Sequence, residues 1–268
     1  MKAVGTGSLT NTSSSYPAPY GNFYEGAKHQ FLFLASELSA AGLIAGNIQS
    51  LSFNATNLNG TDPLVNFNIA IATTALTNIN AFQTTGFTTY YSSPSYTPEL
   101  GTNVHKFSTP FVWDGVSNII VETCFNNTPL GYSNNVSVSQ STTPFTSCVY
   151  YRADNDASLC SSNTTSGTYS QRPNFGFGQP SVITYTWAPA TELTSVSIPN
   201  PIANLTTSRT YTVIADNAGC MTSQVVNLHV KPTPTPNLGS DTLVCTLPFT
   251  LSSSTAANTY SWSTNATT

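Results

Sequence analysis

Three histidines, eleven acidic side chains and five cysteines are the groups of this 268-residue chain whose chemistry is most reactive. His29, His105 and His229 stand alone in "AKHQF", "NVHKF" and "NLHVK", each in or beside a strand-like stretch, and none adjoins a serine or cysteine nucleophile motif. They read as packed or strand-surface histidines. The acids are scattered, most of them beside Gly, Asn or Ser in turn-like settings, so no pair stands out for glycoside hydrolysis. The chain is therefore expected to be no enzyme, with no catalytic residue and no cofactor.

One acidic stretch has ligand-like spacing. "RADNDAS" puts Asp154, Asn155 and Asp156 in a single turn, and calcium takes oxygen ligands of this kind, about six to eight per ion. The competing reading is an Asx-stabilised loop beside Arg152. The cysteines, Cys124, Cys148, Cys160, Cys220 and Cys245, include no CxxC pair and no neighbouring His at zinc spacing, so thiolate metal binding is not expected. A disulfide is expected instead, Cys124 to Cys160 first and Cys148 to Cys160 second. The odd count leaves Cys245 with a partner expected beyond Thr268.

Two tyrosine-rich stretches are candidates for ligand contact. "YPAPYGNFYEG" carries Tyr16, Tyr20 and Tyr24, and "YYSSPSYTP" carries Tyr90, Tyr91 and Tyr96. Exposed rings stack on sugar C–H groups and make protein-binding surfaces at low entropic cost; rings turned inward would instead cap a core. Trp187 and Trp262 sit in "TYTWAPAT" and "TYSWSTNAT", a repeated pattern that predicts buried module tryptophans. "SDTLVC" offers Asp241, Thr242 and Leu243, which resembles a short Asp-Ser/Thr-aliphatic O-glycosylation motif, and that resemblance implies Thr242 as a glycosylation candidate.

The elements that must hold these residues are strands. Only 7% of the chain is charged, while 39% is hydrophobic and 11% aromatic, and Ser, Thr and Asn take the polar positions. Seven basic and eleven acidic residues give a net charge of −4 with no basic patch, which excludes nucleic acid as a partner. Alternation in "VNFNIAIATT", at Val65, Phe67, Ile69 and Ile71, and similar runs in "NIQSLSFNAT", "SNIIVETCFNN" and "SCVYYRAD" predict half-buried strands separated by Asn, Gly and Pro clusters. "SELSAAGLIAG" predicts one short helix, with Ser36 as cap and Gly42 and Gly46 as stops. No apolar run reaches membrane-spanning length, and "FLFLASELSAAGLIAG" lies too far from the amino terminus to be a secretory leader.

The expected class is all-β. Residues 1–20 read as an amino-terminal extension, 21–178 as a jelly-roll-like β-sandwich, 179–232 as an immunoglobulin-like or PKD-like module, and 233–268 as the start of a further one that is cut short. "KPTPTPN" reads as a stiff linker. An incomplete last module would leave strand edges open to another chain, so self-association into an oligomer or filament is expected.

"FSTPFVWDGVSNIIVETCFNN" and "YYRAD", followed by "YTWAPATELTSVSIPNPIANLTTSRTYTVIADNAGC" and "NLGSDTLVCTLPFTL", resemble large secreted surface proteins of Bacteroidetes. Those carry an amino-terminal β-sandwich, PKD-like or immunoglobulin-like repeats, and a type IX secretion sorting domain. The resemblance implies export by the type IX machinery and an extracellular or cell-surface location. It implies an adhesin or structural, filament-forming protein that acts by binding other protein chains or surface glycans. The alternative it leaves is the carbohydrate-binding and spacer region of a larger secreted enzyme.

Overall fold

The computed structural model describes residues 1–180, 183–217, 220–255 and 259–263. They form two compact units, Met1–Pro180 and Ser181–Thr268. In the first, the strands run β1 (Lys2–Val4), β2 (Leu9–Thr10) and β3 (Gly26–Phe33), then helix α1 (Ala35–Ala40), then β4 (Gly46–Asn57), β5 (Leu64–Thr74), β6 (Thr88–Tyr96) and β7 (Gly101–Trp113). They continue with β8 (Asn118–Asn126), β9 (Ser137–Thr142), β10 (Cys148–Ala153), β11 (Gly167–Tyr169), β12 (Gln171–Pro173) and β13 (Phe175–Gly178). The all-β class read from composition is what the structure shows.

Two antiparallel sheets face each other. One has the order β1-β13-β4-β9-β12, with β7 on the far side of β4 and β2 on β9; the other runs β11-β10-β3-β8-β5-β6. Period-2 alternation sends Leu51 and Phe53 of β4, Phe31 and Phe33 of β3, Phe67 and Ile69 of β5, and Phe175 and Phe177 of β13 into one apolar layer. The rings interlock edge to face, with Phe33 and Phe53 each 4.6 Å from Phe175. Each such side chain contributes about 1.5–3 kcal/mol by leaving water.

The second sheet is covered on its outer face too, so all eight residues of β3 are buried. Leu32, Ile120 and Val149 pack there against Ile79 and Phe82, from the segment that joins β5 to β6. Gln30 ties that segment down reciprocally: its Nε2 donates to the Gln83 carbonyl and its Oε1 accepts from the Gln83 N–H, both at 2.8 Å. Lys28 Nζ lies beneath the Phe82 ring, 4.8 Å from its centre and 3.5 Å from Glu122 Oε2. Burial raises the Glu122 carboxyl above its ordinary value, against the hydrogen bond from Gln30 and the nearby Lys28 charge.

Several expectations are corrected here. Residues 1–20 are not an extension: β1 pairs with β13, β2 pairs with β9, and Tyr16, Ala18 and Tyr20 are buried in the core. Their Pro and Ser content reads as loop, and only the partner strands far along the chain turn two short pieces into ladder. The helix is capped at Leu34, not by Ser36, because the Glu37 carboxylate reaches back to the Leu34 N–H at 2.9 Å. Gly42, at φ +84°, ends it, while Gly46 opens β4.

The second unit contains β14 (Ile183–Ala188), β15 (Arg209–Asn217) and β16 (Cys220–Leu228), paired in that order in one antiparallel sheet. Among its described residues Tyr211 alone is buried. Trp187 and Trp262, expected as module cores, are half-buried. Trp187 Nε1 donates to the Ile198 carbonyl at 3.0 Å in the loop that crosses its face. The described residues after Leu228 form no strand, so the open edge expected in the last module is not found there. Residues 256–258 and 264–268 of that stretch lie outside the described residues.

Candidate functional site

The six candidate tyrosines separate into two clusters. Tyr20 goes to one side of the core, where its hydroxyl lies 2.6 Å from His105 Nε2 and its ring packs on Phe53 and Phe67. Tyr91 meets the same imidazole edge to face at 4.6 Å and Tyr96 meets it at a tilt at 4.8 Å, and Tyr90 packs on Phe107 and Phe111. β6 and β7 are the edges of opposite sheets, and these rings close the gap between them. Tyr20 is fully buried; Tyr90, Tyr91 and Tyr96 are half-buried and packed against the core. Burial, helped by the Tyr91 phenol and Glu99 and opposed by the hydrogen bond with Tyr20, pushes the Tyr96 hydroxyl up to about 12, so near neutral pH it stays protonated and donates to Asn103 Oδ1 at 2.8 Å. Tyr20 is thus a core ring, which corrects its assignment as a contact residue, while Tyr90, Tyr91 and Tyr96 pack on the core and keep part of each ring at the surface.

Tyr16 and Tyr24 go to the other side, with Arg152. The loop that carries them is held by Asn135, whose Nδ2 donates to the Ser15 carbonyl and whose Oδ1 accepts from the Phe23 N–H. Tyr16 is buried, stacked 5.2 Å from Tyr150, with its hydroxyl donating to the Gly21 carbonyl at 2.9 Å. It is a floor, not a surface ring, which corrects its assignment as a contact residue. Burial drives its phenol far above the ordinary range, with Arg152 opposing.

Above this floor lies the exposed part. The Arg152 guanidinium carbon is 4.5 Å from the Tyr24 ring centre and 4.9 Å from that of Tyr16. Strand alternation places Tyr150 and Arg152 on one face of β10, and Tyr169 stacks on Tyr150 at 5.6 Å from the neighbouring β11. Tyr169 and Phe23 are exposed, Tyr24 and Arg152 half-buried. Arg152 uses its backbone N–H on Ser166 Oγ, and among the described residues its guanidinium has no acceptor. Five N–H donors on an aromatic shelf suit a ligand rich in oxygen acceptors with an apolar face.

The neighbouring acids are already engaged. Asp154 Oδ1 accepts from the Glu25 N–H, Glu25 Oε2 from Thr128 Oγ1 and the Asn155 N–H, and Asp156 from Ser158 and the Tyr151 hydroxyl. Asn155 adopts φ +57°, as an Asx turn allows. The loop considered for calcium is thus tied by its own hydrogen bonds, and the described residues hold no group of three or more His, Cys, Asp or Glu side chains arranged to bind a metal.

Cys124 and Cys160 are joined in a disulfide, with Cα atoms 5.8 Å apart. Cys148, the second choice for Cys160, is a buried free thiol; Cys220 and Cys245 are free and exposed. Thr242 is exposed, its hydroxyl donating to the Ser240 carbonyl at 3.0 Å. His29 is fully buried, its Nε2 accepting from the Ala18 N–H at 3.2 Å, and burial lowers it to about 3. His229 is exposed. Sequence reading missed Tyr169 and the role of Arg152; the signal was the Tyr-x-Arg spacing in "VYYRAD", which puts two π-stacking groups on one strand face. No helix of the described residues is long and apolar enough to cross a membrane. No protein-family model, no curated protein and no solved structure matches this chain.

Proposed function

We propose that the protein is an extracellular adhesin or surface structural component that acts by binding, with the Phe23, Tyr24, Arg152 and Tyr169 edge of the first unit as its contact surface. The observation that carries this reading is the Arg152 guanidinium, half-buried on tyrosine rings and without an acceptor among the described residues. The disulfide and the low charge content support an oxidising, extracellular setting. A second reading, carbohydrate-binding and spacer region of a larger secreted enzyme, is favoured by the exposed Tyr169 ring, whose face suits sugar C–H stacking.

The test is binding of the full chain to a glycan array and to immobilised extracellular matrix proteins. Arg152→Ala and Tyr169→Ser are each expected to weaken capture by about tenfold, one good contact, with the native fold retained. Glycan capture lost in both variants would select the second reading. Capture by neither surface, or capture indifferent to both substitutions, would overturn the assignment of this edge.

A further inference from the structure

We propose that the free edge of β16 in the second unit pairs antiparallel with β16 of a second copy of this chain, about a two-fold axis at Gln224. This goes beyond the binding reading of the first unit and does not depend on it.

Every other sheet edge among the described residues carries a device that resists pairing. β1, β2, β11 and β12 are two or three residues long, and β12 ends in Pro173. β6 contains Pro94. β7 contains Lys106 and Pro110, and its register against β4 breaks where Ile48 pairs with Phe111 but Ser50 pairs with Lys106. β14 is capped by its own loop, with the Trp187 N–H donating to the Val196 carbonyl at 2.9 Å. Short strands, proline, lysine and bulges are the ways natural sheets avoid edge-to-edge addition.

β16 has none of them. Its sequence, CMTSQVVNL, holds no charge and no proline over nine residues, and it pairs with β15 on one side only. Met221 and Val225 are 70% and 61% exposed. Bonded and non-bonded pairs alternate in an antiparallel ladder, so every second residue of β16 turns its N–H and C=O away from β15. The Val230 N–H reaches back to Ser208 Oγ on the β15 side, which fixes the parity. Even-numbered positions face β15 and odd-numbered ones face outward.

An antiparallel strand can pair with its own copy about any residue, and Gln224, the middle of Cys220–Leu228, is the axis that matches all nine residues. With the axis at Gln224, Ser223 of one copy bonds Val225 of the other and Met221 bonds Asn227, all of them outward positions. Gln224 meets its own copy and Thr222 meets Val226 in the intervening non-bonded pairs. No like charges are brought together, and two three-stranded sheets become one of six.

The test uses the full chain with Cys220→Ser and Cys245→Ser, which removes the exposed thiols. Sedimentation velocity is expected to show a concentration-dependent monomer–dimer equilibrium that Ser223→Pro, which deletes an outward N–H, abolishes. Gln224→Cys is expected to give a covalent dimer on mild oxidation, at least about tenfold more than Val225→Cys, whose partner position is 223 rather than itself. A chain that remains monomeric at every concentration, or equal crosslinking at 224 and 225, overturns the proposal. Should Ser223→Pro unfold the sheet, the 224-against-225 comparison decides alone.

Discussion

The Tyr20 hydroxyl and His105 Nε2 meet 2.6 Å apart at the centre of an aromatic cage, and the other ring nitrogen of His105 has no partner. A charged imidazole there would be cut off from water with no acidic side chain beside it among its ring contacts. Burial accordingly lowers His105, like His29 across the core, to about 3.

The first prediction is acid sensitivity. Both histidines stay neutral when folded but take up a proton near pH 6.5 when unfolded, so the unfolded state binds more protons between these values. Stability is fully present above about pH 6.5 and falls as pH drops toward 3, by about 1.4 kcal/mol per pH unit for each histidine. Urea unfolding at pH 7, 6 and 5 measures the slope, and His105→Phe should halve it. A flat profile over that range would contradict the buried, neutral assignment.

Reduction should weaken the first unit. Cys124 and Cys160 are 36 residues apart, and opening a loop of that size costs about 3–4 kcal/mol in the chain-entropy account. Cys160→Ser should lower the thermal midpoint correspondingly. Thiol titration of the native protein should count Cys220 and Cys245, with Cys148 reacting only in denaturant.

Arg172 gives a third prediction. Its guanidinium is buried over the Phe33 ring, donates to the Leu32 carbonyl at 2.6 Å and pairs with Glu37 Oε1 at 2.7 Å, fixing α1 to the sandwich. Arg172→Ala strands a carbonyl and a partly buried carboxylate, so a loss of about 3–5 kcal/mol is expected by chemical denaturation. A loss under about 1 kcal/mol would mean the pair is solvated.

Gly7 supplies the fourth. A Cβ there would overlap the Gln140 carbonyl oxygen, which is backbone and cannot rotate away. Gly7→Ala should cost about 1–3 kcal/mol, read from the same denaturation curves. Gly131→Ala, where a Cβ meets nothing within 4 Å but φ is +101°, should cost less.

Alternation at Phe67, Ile69 and Ile71 made β5 readable, because each inward side chain announces itself two positions later; Val65, expected in the same row, is half-buried, and Leu64 takes the inward place because the period breaks at Asn66, φ +54°. β1 and β2 were not readable, since two or three residues carry no period and their partners lie more than a hundred positions away. The disulfide was legible as a first choice, yet spacing alone does not exclude the Cys148 alternative; the register that sets Lys28 opposite Cys124 decides it by turning Cys124 to the outer face and Cys148 inward. For the site, tyrosine content flagged the right loops but not the direction of each ring. Tyr16 and Tyr20, four residues apart, end on opposite sides of one core, a separation that only the packing of β10 and β5 against them determines.

β3 is roofed on both faces, and this divides the molecule by how freely it can vary. A substitution along Gly26–Phe33 meets packed atoms whichever way the side chain points, whereas the outer face of β4 presents Asn47, Asn54 and Thr56 to water on either side of the buried Ser50 and Ser52. Sequence drift between descendants of this chain should therefore accumulate on the β4 and β7 side and spare β3. A library built to diversify the protein without unfolding it belongs on that same open face.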